Sequence, residues 1–525
     1  MFTFTVTHPV RRRLLPALLL ALAPAVFAAA ASAPARRDGA PKPLFADAAP
    51  VIPWEDLRKV SLPNTTIDSV ALDATDHSVR VTATVAHPPA TDRVKVFIAL
   101  PTKGWNGRFR GHGGGGFVGG NAGSLRGAVS QGYVAGATDT GHEGGSGSFA
   151  LGDKGRLNWQ DIRDNAYLGI HEMTVTGKAL ARAFYGKDPK YSYFYGSSTG
   201  GRQGLSEAQR FPEDYNGIYS GCPAVNWTHF VPGLLWPQVV MAEAKHLVPK
   251  AKLDAVTAAA IAACDAADGI SDGVIDDPSR CTWDPQAFVG TKVGEEVFTA
   301  DDARVVREMW AGPRGVGGRM IWHGLTRGTD LNALGGSGGA PLAGKPFSVG
   351  LDWFRYFLVQ DPQWPGTALG KAEFELLQRQ SVEQYGAVFG TDNPDLTRFR
   401  DHGGKVIIVH GMADQLIPHE GSVDYYRRVQ AAMGGPERTA EFARLFLVPG
   451  VDHGMRGAGA TPVGQMDALL RWVEDGQAPD LIDAEKRDAG GKIIRTRPVY
   501  PYPQYAKYRG TGSTDDAANF APATR

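Results

Sequence analysis

The sequence has few cysteines, no net charge and, beyond its amino terminus, no apolar run long enough to cross a membrane. Its 55 lysines and arginines balance 55 aspartates and glutamates, so we expect neither nucleic acid nor an acidic membrane surface as a partner. Three cysteines can form at most one disulfide bond within the chain. With 525 residues, 43% of them hydrophobic, the chain is long enough for two domains.

The amino terminus is markedly apolar and has the form of an export signal. Three arginines at 11–13 precede an apolar stretch at 14–30, and an Ala-Ser-Ala cleavage site follows at 31–33. A transmembrane anchor is the alternative, but two prolines interrupt the stretch. We therefore predict a signal peptide at 1–33, no membrane anchor after its cleavage, and a periplasmic or secreted protein.

A G-x-S-x-G sequence from Gly196 to Gly200 marks the first catalytic candidate. It follows the apolar run 193–195 and precedes a stretch, 201–211, whose apolar residues have helical spacing. Strand, sharp turn and helix in this order are typical of a nucleophile elbow, which exposes a serine hydroxyl above a sheet. We predict Ser198 as a nucleophile, with a plain glycine-rich turn as the alternative.

A serine nucleophile needs a base, and the base needs an acid that orients it. Two strand-like runs, 405–411 and 445–450, are each followed by polar residues where open α/β sheets gather their ligands. We predict Asp414 as the acid and His453 as the base, in the chain order serine, acid, histidine. Asp452 is a rival acid, although sequence neighbours rarely face one another. The rival bases are His402, His410 and His419.

An ester-cleaving serine also needs hydrogen-bond donors for the oxyanion that develops on the substrate. The backbone N–H of Thr199, directly after the serine, is the first candidate. The second is Gly115 or Gly116, in a glycine-rich stretch that follows the strand-like run 94–100. A merely flexible loop is the alternative. This glycine-rich stretch lacks the lysine and the Ser/Thr of a phosphate-binding loop. We predict no organic cofactor.

Two of the three cysteines, Cys264 and Cys281, bracket an acidic loop with glycines at its turns. In an oxidising compartment we predict a disulfide bond between them. Carboxylates repeated on a tightly curled loop suit Ca²⁺, with a solvated acidic loop as the alternative. Cys222 then has no partner, and we predict a buried free thiol rather than a nucleophile.

Several segments resemble the tannase and feruloyl esterase family. They are YFYGSSTGGRQGLSEAQRFP at 193–212, ATDTGH at 137–142, GGK leading to HGMAD at 403–414, and RLFLVPG at 444–450. Together these segments extend the resemblance over about residues 50–510. It implies an α/β-hydrolase fold with a large lid domain inserted after the elbow, and cleavage of phenolic-acid esters such as those of gallate and ferulate. Carried over to this sequence, the catalytic residues are Ser198, Asp414 and His453.

The resemblance also implies a structural Ca²⁺ in the lid, although the loop spacing is not that of an EF-hand. The implied ligands are the carboxylates of Asp265, Asp268 and Asp272 and the backbone carbonyls of Ile270 and Val274. This sequence departs from the family in one respect. Many members have a disulfide-bonded cysteine pair that connects the nucleophile to the base, whereas Ser197 and Gly454 occupy those two positions here. We hypothesise that packing and hydrogen bonds alone hold the triad here.

These anchors divide the chain into five predicted parts. They are a signal peptide (1–33), an N-terminal arm (34–60), the first part of the hydrolase core (61–225), a lid domain with the calcium loop (226–399) and the second part of the core (400–525). Most lid aromatics are expected in the lid core, and some could form a wall for a phenolic ring, with Arg355 as a candidate partner for a substrate carboxylate. These aromatics are Trp310, Trp322, Trp353, Phe354, Tyr356 and Phe357.

The sequence thus predicts an α/β protein, an α/β-hydrolase core with an inserted lid. Its predicted function is that of a secreted serine esterase that hydrolyses aromatic carboxylic esters through an acyl-enzyme. Two alternatives remain: a secreted serine peptidase of the same fold, and a catalytically silent binding protein. The predicted partner is a small aromatic ester, and Ca²⁺ is the predicted cofactor.

Overall fold

A nine-stranded sheet organises the chain. The computed structural model describes residues 41–45, 48–152, 155–336, 346–366 and 369–524, so the predicted signal peptide lies outside the described residues. The strands are β1 Thr65–Asp73, β2 Ser78–Val85, β3 Val94–Pro101, β4 Arg108–His112, β5 Val134–Thr138, β6 Tyr191–Ser197, β7 Gly217–Gly221, β8 Lys292–Val293, β9 Glu296–Val297, β10 Lys405–Gly411, β11 Ala443–Val448, β12 Thr461–Pro462, β13 Ile482–Arg487, β14 Ile493–Val499, β15 Gln504–Tyr508 and β16 Phe520–Thr524.

The main sheet has the strand order β1-β2-β3-β5-β4-β6-β7-β10-β11. The pairings β1-β2, β2-β3 and β3-β5 are antiparallel, whereas the remaining five neighbours run parallel. This arrangement confirms the predicted α/β class, with antiparallel strands at the β1 side of the sheet. It also brings the carboxyl ends of β6, β7, β10 and β11 to one edge, which is where the predicted catalytic residues follow.

Helices cover both faces of the sheet and fill the segment between β7 and β10. They are α1 Arg126–Val129, α2 Trp159–Arg163, α3 Gly169–Tyr185, α4 Thr199–Arg210, α5 Trp227–Gly233, α6 Trp236–Ala244, α7 Lys250–Cys264, α8 Ala300–Ala311, α9 Asn332–Gly335, α10 Ser348–Asp352, α11 Lys371–Phe389, α12 Thr397–Asp401, α13 Glu420–Ala432, α14 Pro436–Ala440 and α15 Gln465–Asp475. Two π-helical turns span Asp164–Leu168 and Trp353–Val359. The 3₁₀ segments are Trp54–Lys59, Ala122–Leu125, Gly147–Ala150, Asp265–Asp268, Pro278–Arg280, Pro285–Phe288 and Ala517–Asn519. Within the described ranges, no helix is long and apolar enough to cross a membrane.

The core follows from the alternation of side chains along the strands. Phe194 and its neighbour Tyr193 point to opposite faces of β6. Phe194 belongs to a buried cluster with Leu180 of α3 and Leu205 of α4. Tyr193 belongs to a second cluster with Leu469 of α15. The sheet is therefore buried on both sides, which explains why its central strands read as nearly continuous apolar runs.

The segment between β7 and β10 has a third apolar cluster of its own, and it packs against the glycine-rich loop after β4. Phe117 of that loop stacks on Phe357, with ring centroids 5.6 Å apart. In the described part of the predicted N-terminal arm, Leu57 is fully buried. The division into core and lid at the boundaries given above stays a prediction.

Candidate active site

Ser198 lies on a sharp turn between β6 and α4. Its φ of 61° and ψ of −124° place a non-glycine residue in a region that L-residues rarely adopt. Glycines make the turn possible: a Cβ at Gly196 would lie 2.5 Å from the carbonyl oxygen of Gly200, and one at Gly201 would lie 2.7 Å from that of Gly221. The Ser198 N–H donates to the Gly221 carbonyl at 2.8 Å. This geometry is that of a nucleophile elbow.

Asp414 and His453 meet in the turns that follow β10 and β11. Nδ1 of His453 lies 2.7 Å from Oδ2 of Asp414. The other Asp414 oxygen accepts the backbone N–H groups of Leu416 and Ile417, both at 2.8 Å. The His453 N–H donates to Oε1 of Gln415 at 3.0 Å. The acid is therefore fixed by its own loop, and it orients the imidazole.

The electrostatics of this pair suit a base held by an ionised acid. Burial alone would raise the pKa of Asp414, but attraction to His453 and hydrogen bonds with His453 and His410 hold that pKa well below its usual range. Burial lowers the pKa of His453, and its interactions with Asp414 outweigh that effect and leave the pKa raised. The charged carboxylate of Asp414 therefore favours the protonated form of the His453 ring.

Two of the rival residues, His410 and Asp452, have other hydrogen-bond partners. His410 is wholly buried, with Nδ1 2.8 Å from Oγ of Ser422 and Nε2 3.0 Å from the Ile417 carbonyl. Asp452 accepts the N–H of Arg456 at 2.8 Å. His410 also lies 3.3 Å from Asp414, so it supports the acid from behind. The contacts favour Asp414 and His453 over these rivals.

Cys222 lies beside the same pair, a placement that the sequence reasoning missed. Its sulfur, a carboxylate oxygen of Asp414 and a ring nitrogen of His453 all lie within 4.8 Å of one another. Cys222 directly follows Gly221, which accepts the Ser198 N–H, so the elbow and the acid–base pair share this edge. The thiol is free and buried, and burial raises its pKa well above the ordinary value. Its position directly after β7 was the signal for this proximity.

The glycine-rich loop is fastened to the start of α4. Oγ1 of Thr199 donates to the Gly116 carbonyl at 2.7 Å, and the Gly200 N–H donates to the Gly114 carbonyl at 3.0 Å. The Gly115 N–H is already used, because it donates to the Val118 carbonyl at 3.0 Å. Of the two predicted glycines, Gly116 is therefore the better candidate for the second oxyanion donor.

The acidic loop contains a disulfide bond between Cys264 and Cys281. Asp265 accepts backbone N–H groups from across the loop, including that of Asp272 at 3.1 Å. Oδ2 of Asp272 is itself paired with Arg495 at 3.0 Å and Arg497 at 2.9 Å.

A further carboxylate, Asp276, was not among the predicted ligands. Burial and the neighbouring Asp268 raise the pKa of Asp276 to about 8. Carboxylate oxygens are ligands of the kind that Ca²⁺ takes, so Asp268 and Asp276 are candidate ligands in this partly buried loop. Asp272 fits less well, because its arginine partners compete for Oδ2.

The predicted aromatic residues are mainly packed inside the helical segment. Trp353, Phe354 and Phe357 are fully buried. The Nε–H of Arg355 donates to the Trp364 carbonyl at 2.6 Å, so its guanidinium is tied to the backbone nearby.

The fold and the elbow define an α/β hydrolase. The family described as "Tannase and feruloyl esterase" matches residues 79–337 and 356–523, and the chain belongs to this family of carboxylic ester hydrolases. A probable feruloyl esterase of Arthroderma benhamiae is 37% identical over 476 residues, covering 88% of this chain and 86% of the relative. Mono(2-hydroxyethyl) terephthalate hydrolase of Piscinibacter sakaiensis is 32% identical over 516 residues, with coverages of 82% and 81%. The crystal structure of feruloyl esterase B from Aspergillus oryzae matches with a TM-score of 0.79 and 26% identity, over 90% of this chain and 99% of that one.

Proposed function

We propose that this protein is an exported serine esterase that hydrolyses esters of aromatic carboxylic acids with Ser198, His453 and Asp414. The observation that carries the proposal is the 2.7 Å contact between His453 and Asp414 at the sheet edge where Ser198 occupies a strained elbow. A serine on such a turn and an acid–base pair at the same edge of the sheet are the parts that acyl transfer requires.

The mechanism has two chemical steps. His453 removes the hydroxyl proton of Ser198 as Oγ attacks the ester carbonyl, while the charged Asp414 stabilises the imidazolium. The N–H groups of Thr199 and Gly116 donate to the oxyanion. When the intermediate collapses, the alcohol leaves with the proton from His453. Water then attacks the acyl-enzyme by the same route, releases the acid and regenerates the serine.

The proposed substrates have an aromatic acyl group and a small or sugar-like alcohol. Support comes from two relatives whose names specify feruloyl and terephthalate esters. The helical segment between β7 and β10 packs on the glycine loop, as the contact between Phe117 and Phe357 shows. We propose that this segment acts as the lid and supplies the contacts that choose among such esters.

A structural Ca²⁺ and export complete the proposal. Asp265, Asp268 and Asp272 with the carbonyls of Ile270 and Val274 would hold the ion, and Asp276 adds a carboxylate to the set. The ion supplies positive charge that neutralises the crowded loop, and it takes no part in the acyl transfer. The amino-terminal export pattern and the disulfide bond support a periplasmic or secreted location.

The test is acid release by the purified mature protein from methyl gallate, methyl ferulate, chlorogenate and mono(2-hydroxyethyl) terephthalate. We expect turnover of at least one ester and its near-complete loss in Ser198→Ala. Ser197→Ala removes the neighbouring hydroxyl and is the matched control, which should keep most of the activity.

The other outcomes contradict the proposal in distinct ways. Cleavage of peptides but of none of the esters would identify a peptidase. Binding without turnover would identify a silent binding protein. Equal rates in the wild type and Ser198→Ala would remove the serine from the mechanism.

A further inference from the structure

A cluster of one histidine and three carboxylates lies away from the elbow, between the β2–β3 loop and the start of α3. Nδ1 of His87 is 2.7 Å from Oδ2 of Asp92 and 3.7 Å from Oδ1 of Asp164. Nε2 of the same ring is 3.5 Å from Oε1 of Glu172. One ligand atom from each of His87, Asp92 and Asp164 falls within a common 4.8 Å. We call these four residues the His87 cluster.

The charges of the His87 cluster are not balanced by the protein itself. Within the described ranges, Asp92, Asp164 and Glu172 form ion pairs only with His87. Asp164 is fully buried, yet its Oδ2 has no hydrogen-bond partner there, and neither does Nε2 of His87. Burying a carboxylate oxygen without a partner is costly. Oδ1 of Asp92 accepts the backbone N–H of His87 at 3.1 Å, and Oδ1 of Asp164 accepts from Nε2 of Gln160 at 2.8 Å. Among the described residues, His87 is therefore the one cationic partner of these carboxylates.

We propose that His87, Asp92 and Asp164 bind a divalent first-row metal ion, with Zn²⁺ as the probe. Such an ion takes imidazole nitrogen and carboxylate oxygen at about 2.0–2.2 Å, which puts tetrahedral ligand atoms about 3.4 Å apart. The two separations at Nδ1, 2.7 and 3.7 Å, lie on either side of that spacing. Nδ1 must bind without its proton, and one carboxylate oxygen each from Asp92 and Asp164 completes the set of protein ligands.

Glu172 has a different part in the proposed site. With Nδ1 bound to the ion, the proton of the ring is on Nε2, which faces the Glu172 carboxylate at 3.5 Å. A carboxylate that accepts from the second ring nitrogen orients a metal-binding histidine. The His87 side chain is 22% exposed and that of Glu172 is 26% exposed, so an ion can reach the cluster from solvent.

The position of the cluster indicates a structural ion that braces the glycine loop. Asp164 begins the π-helical turn, and π-turns are frequent at functional sites. The next residue, Asn165, donates to the Phe117 carbonyl and to Oγ1 of Thr140, both at 3.0 Å. Phe117 directly follows Gly116. A metal ion here would connect the β2–β3 loop to the turn that holds the proposed oxyanion donor in place.

The experiment is calorimetric titration of Zn²⁺ into the metal-stripped full-length protein, in buffer that contains Ca²⁺ to fill the acidic loop. We expect one Zn²⁺ per chain in the wild type, with at least about a tenfold loss of affinity in His87→Gln and in Asp164→Asn. His171→Gln tests the competing site, because His171, Glu207 and Asp214 form a second group whose ligand atoms lie within 4.8 Å of one another. It should bind Zn²⁺ as the wild type does, and a loss of affinity in this variant would place the ion at that group and overturn the proposal.

Thermal melting provides a readout that does not need activity. Zn²⁺ should raise the melting temperature of the wild type and of His171→Gln but not that of Asp164→Asn. Without metal, Asp164→Asn should melt above the wild type, because it removes a buried charge. Equal Zn²⁺ affinity in the wild type, His87→Gln and Asp164→Asn would overturn the proposal, as would the absence of binding at millimolar Zn²⁺. Equal affinity together with equal inhibition of the esterase in the wild type, His87→Gln and Asp164→Asn would place the ion at His453 instead and overturn the proposal.

Discussion

The hydroxyl of Thr199 donates a 2.7 Å hydrogen bond to the carbonyl of Gly116. The residue that follows the nucleophile thus fastens the loop that carries the second proposed oxyanion donor. This one contact links the two residues that carry the proposed donors, and it is present without a substrate. Preorganised donors of this kind lower the barrier to acyl transfer, because they need no rearrangement when charge develops.

Thr199→Val removes this contact and leaves both backbone donors in the chain. A hydrogen bond of this type contributes about 1 kcal/mol, so kcat should fall about five- to tenfold while KM stays within about twofold. Thr199→Ser keeps a hydroxyl and should retain kcat within about twofold. Steady-state kinetics on the preferred ester measure both. An unchanged kcat in the valine variant would mean that the loop holds its position without Thr199.

Asp414→Asn should change both the rate and its pH dependence. Loss of the acid is expected to lower kcat by about 10⁴-fold, because the imidazole loses its orientation and its counter-charge. In the wild type, His453 must be neutral to act as a base, so kcat/KM rises as pH rises through the raised pKa of His453. Without Asp414 that pKa falls, because burial then dominates.

The pH profile separates this role from a merely structural one. The rising limb of the residual activity should move to lower pH in Asp414→Asn. A limb that stays in place with a lowered plateau would show that Asp414 does not set the pKa of His453.

We expect the Cys222 thiol to be unreactive and to take no part in catalysis. Burial raises its pKa, and the thiolate rather than the thiol is the reactive form. Cys222→Ala should keep kcat/KM within about threefold, and iodoacetamide should not inactivate the folded wild type. Rapid inactivation that Cys222→Ala abolishes would reopen the cysteine as a nucleophile, because the sulfur lies next to His453.

Removal of Ca²⁺ should destabilise the protein without changing the chemistry of the triad. An ion present at a hundred times its Kd stabilises by about 2.7 kcal/mol, which for a chain of 525 residues corresponds to a fall of about 2–3 °C in Tm on chelation. Asp268→Asn and Asp276→Asn should lose the dependence of Tm on Ca²⁺. Asp277→Asn, in the same loop but outside the proposed ligand set, is the control. Identical Tm values with and without chelator would argue against the ion.

The absent cysteine pair gives a further test of the active-site geometry. Ser197→Cys with Gly454→Cys is expected to form a disulfide bond and to slow thermal inactivation. A Cβ at Gly454 would lie 2.9 Å from the Arg456 guanidinium, the mobile end of a long side chain that can move aside. Mass spectrometry of the oxidised double variant measures the bond. If the oxidised double variant formed no disulfide bond, positions 197 and 454 would not face each other in this protein.

Much of the fold could be predicted from the sequence, because local patterns decide it. The runs around Val406 and Leu445 are continuously apolar, which only strands buried on both faces require. The glycines around Ser198 specify a tight strand-to-helix turn at any place in a fold. Cys264 and Cys281 are close in sequence, so a disulfide between them needs only a curled loop.

The tertiary structure decided which of several equivalent residues meet. His410 and His453 give similar signals in the sequence. In the structure, both ring nitrogens of His410 contact other groups, Oγ of Ser422 and the Ile417 carbonyl, because of how β10 and the loop after it pack. Gly115 and Gly116 are equivalent in the sequence, but the N–H of Gly115 already donates a hydrogen bond within the loop, to the Val118 carbonyl. The His87 cluster joins residues of the β2–β3 loop to Asp164 of the π-helical turn and Glu172 of α3, which lie more than 70 positions further along the chain. Such contacts depend on long-range packing, which local sequence patterns do not encode.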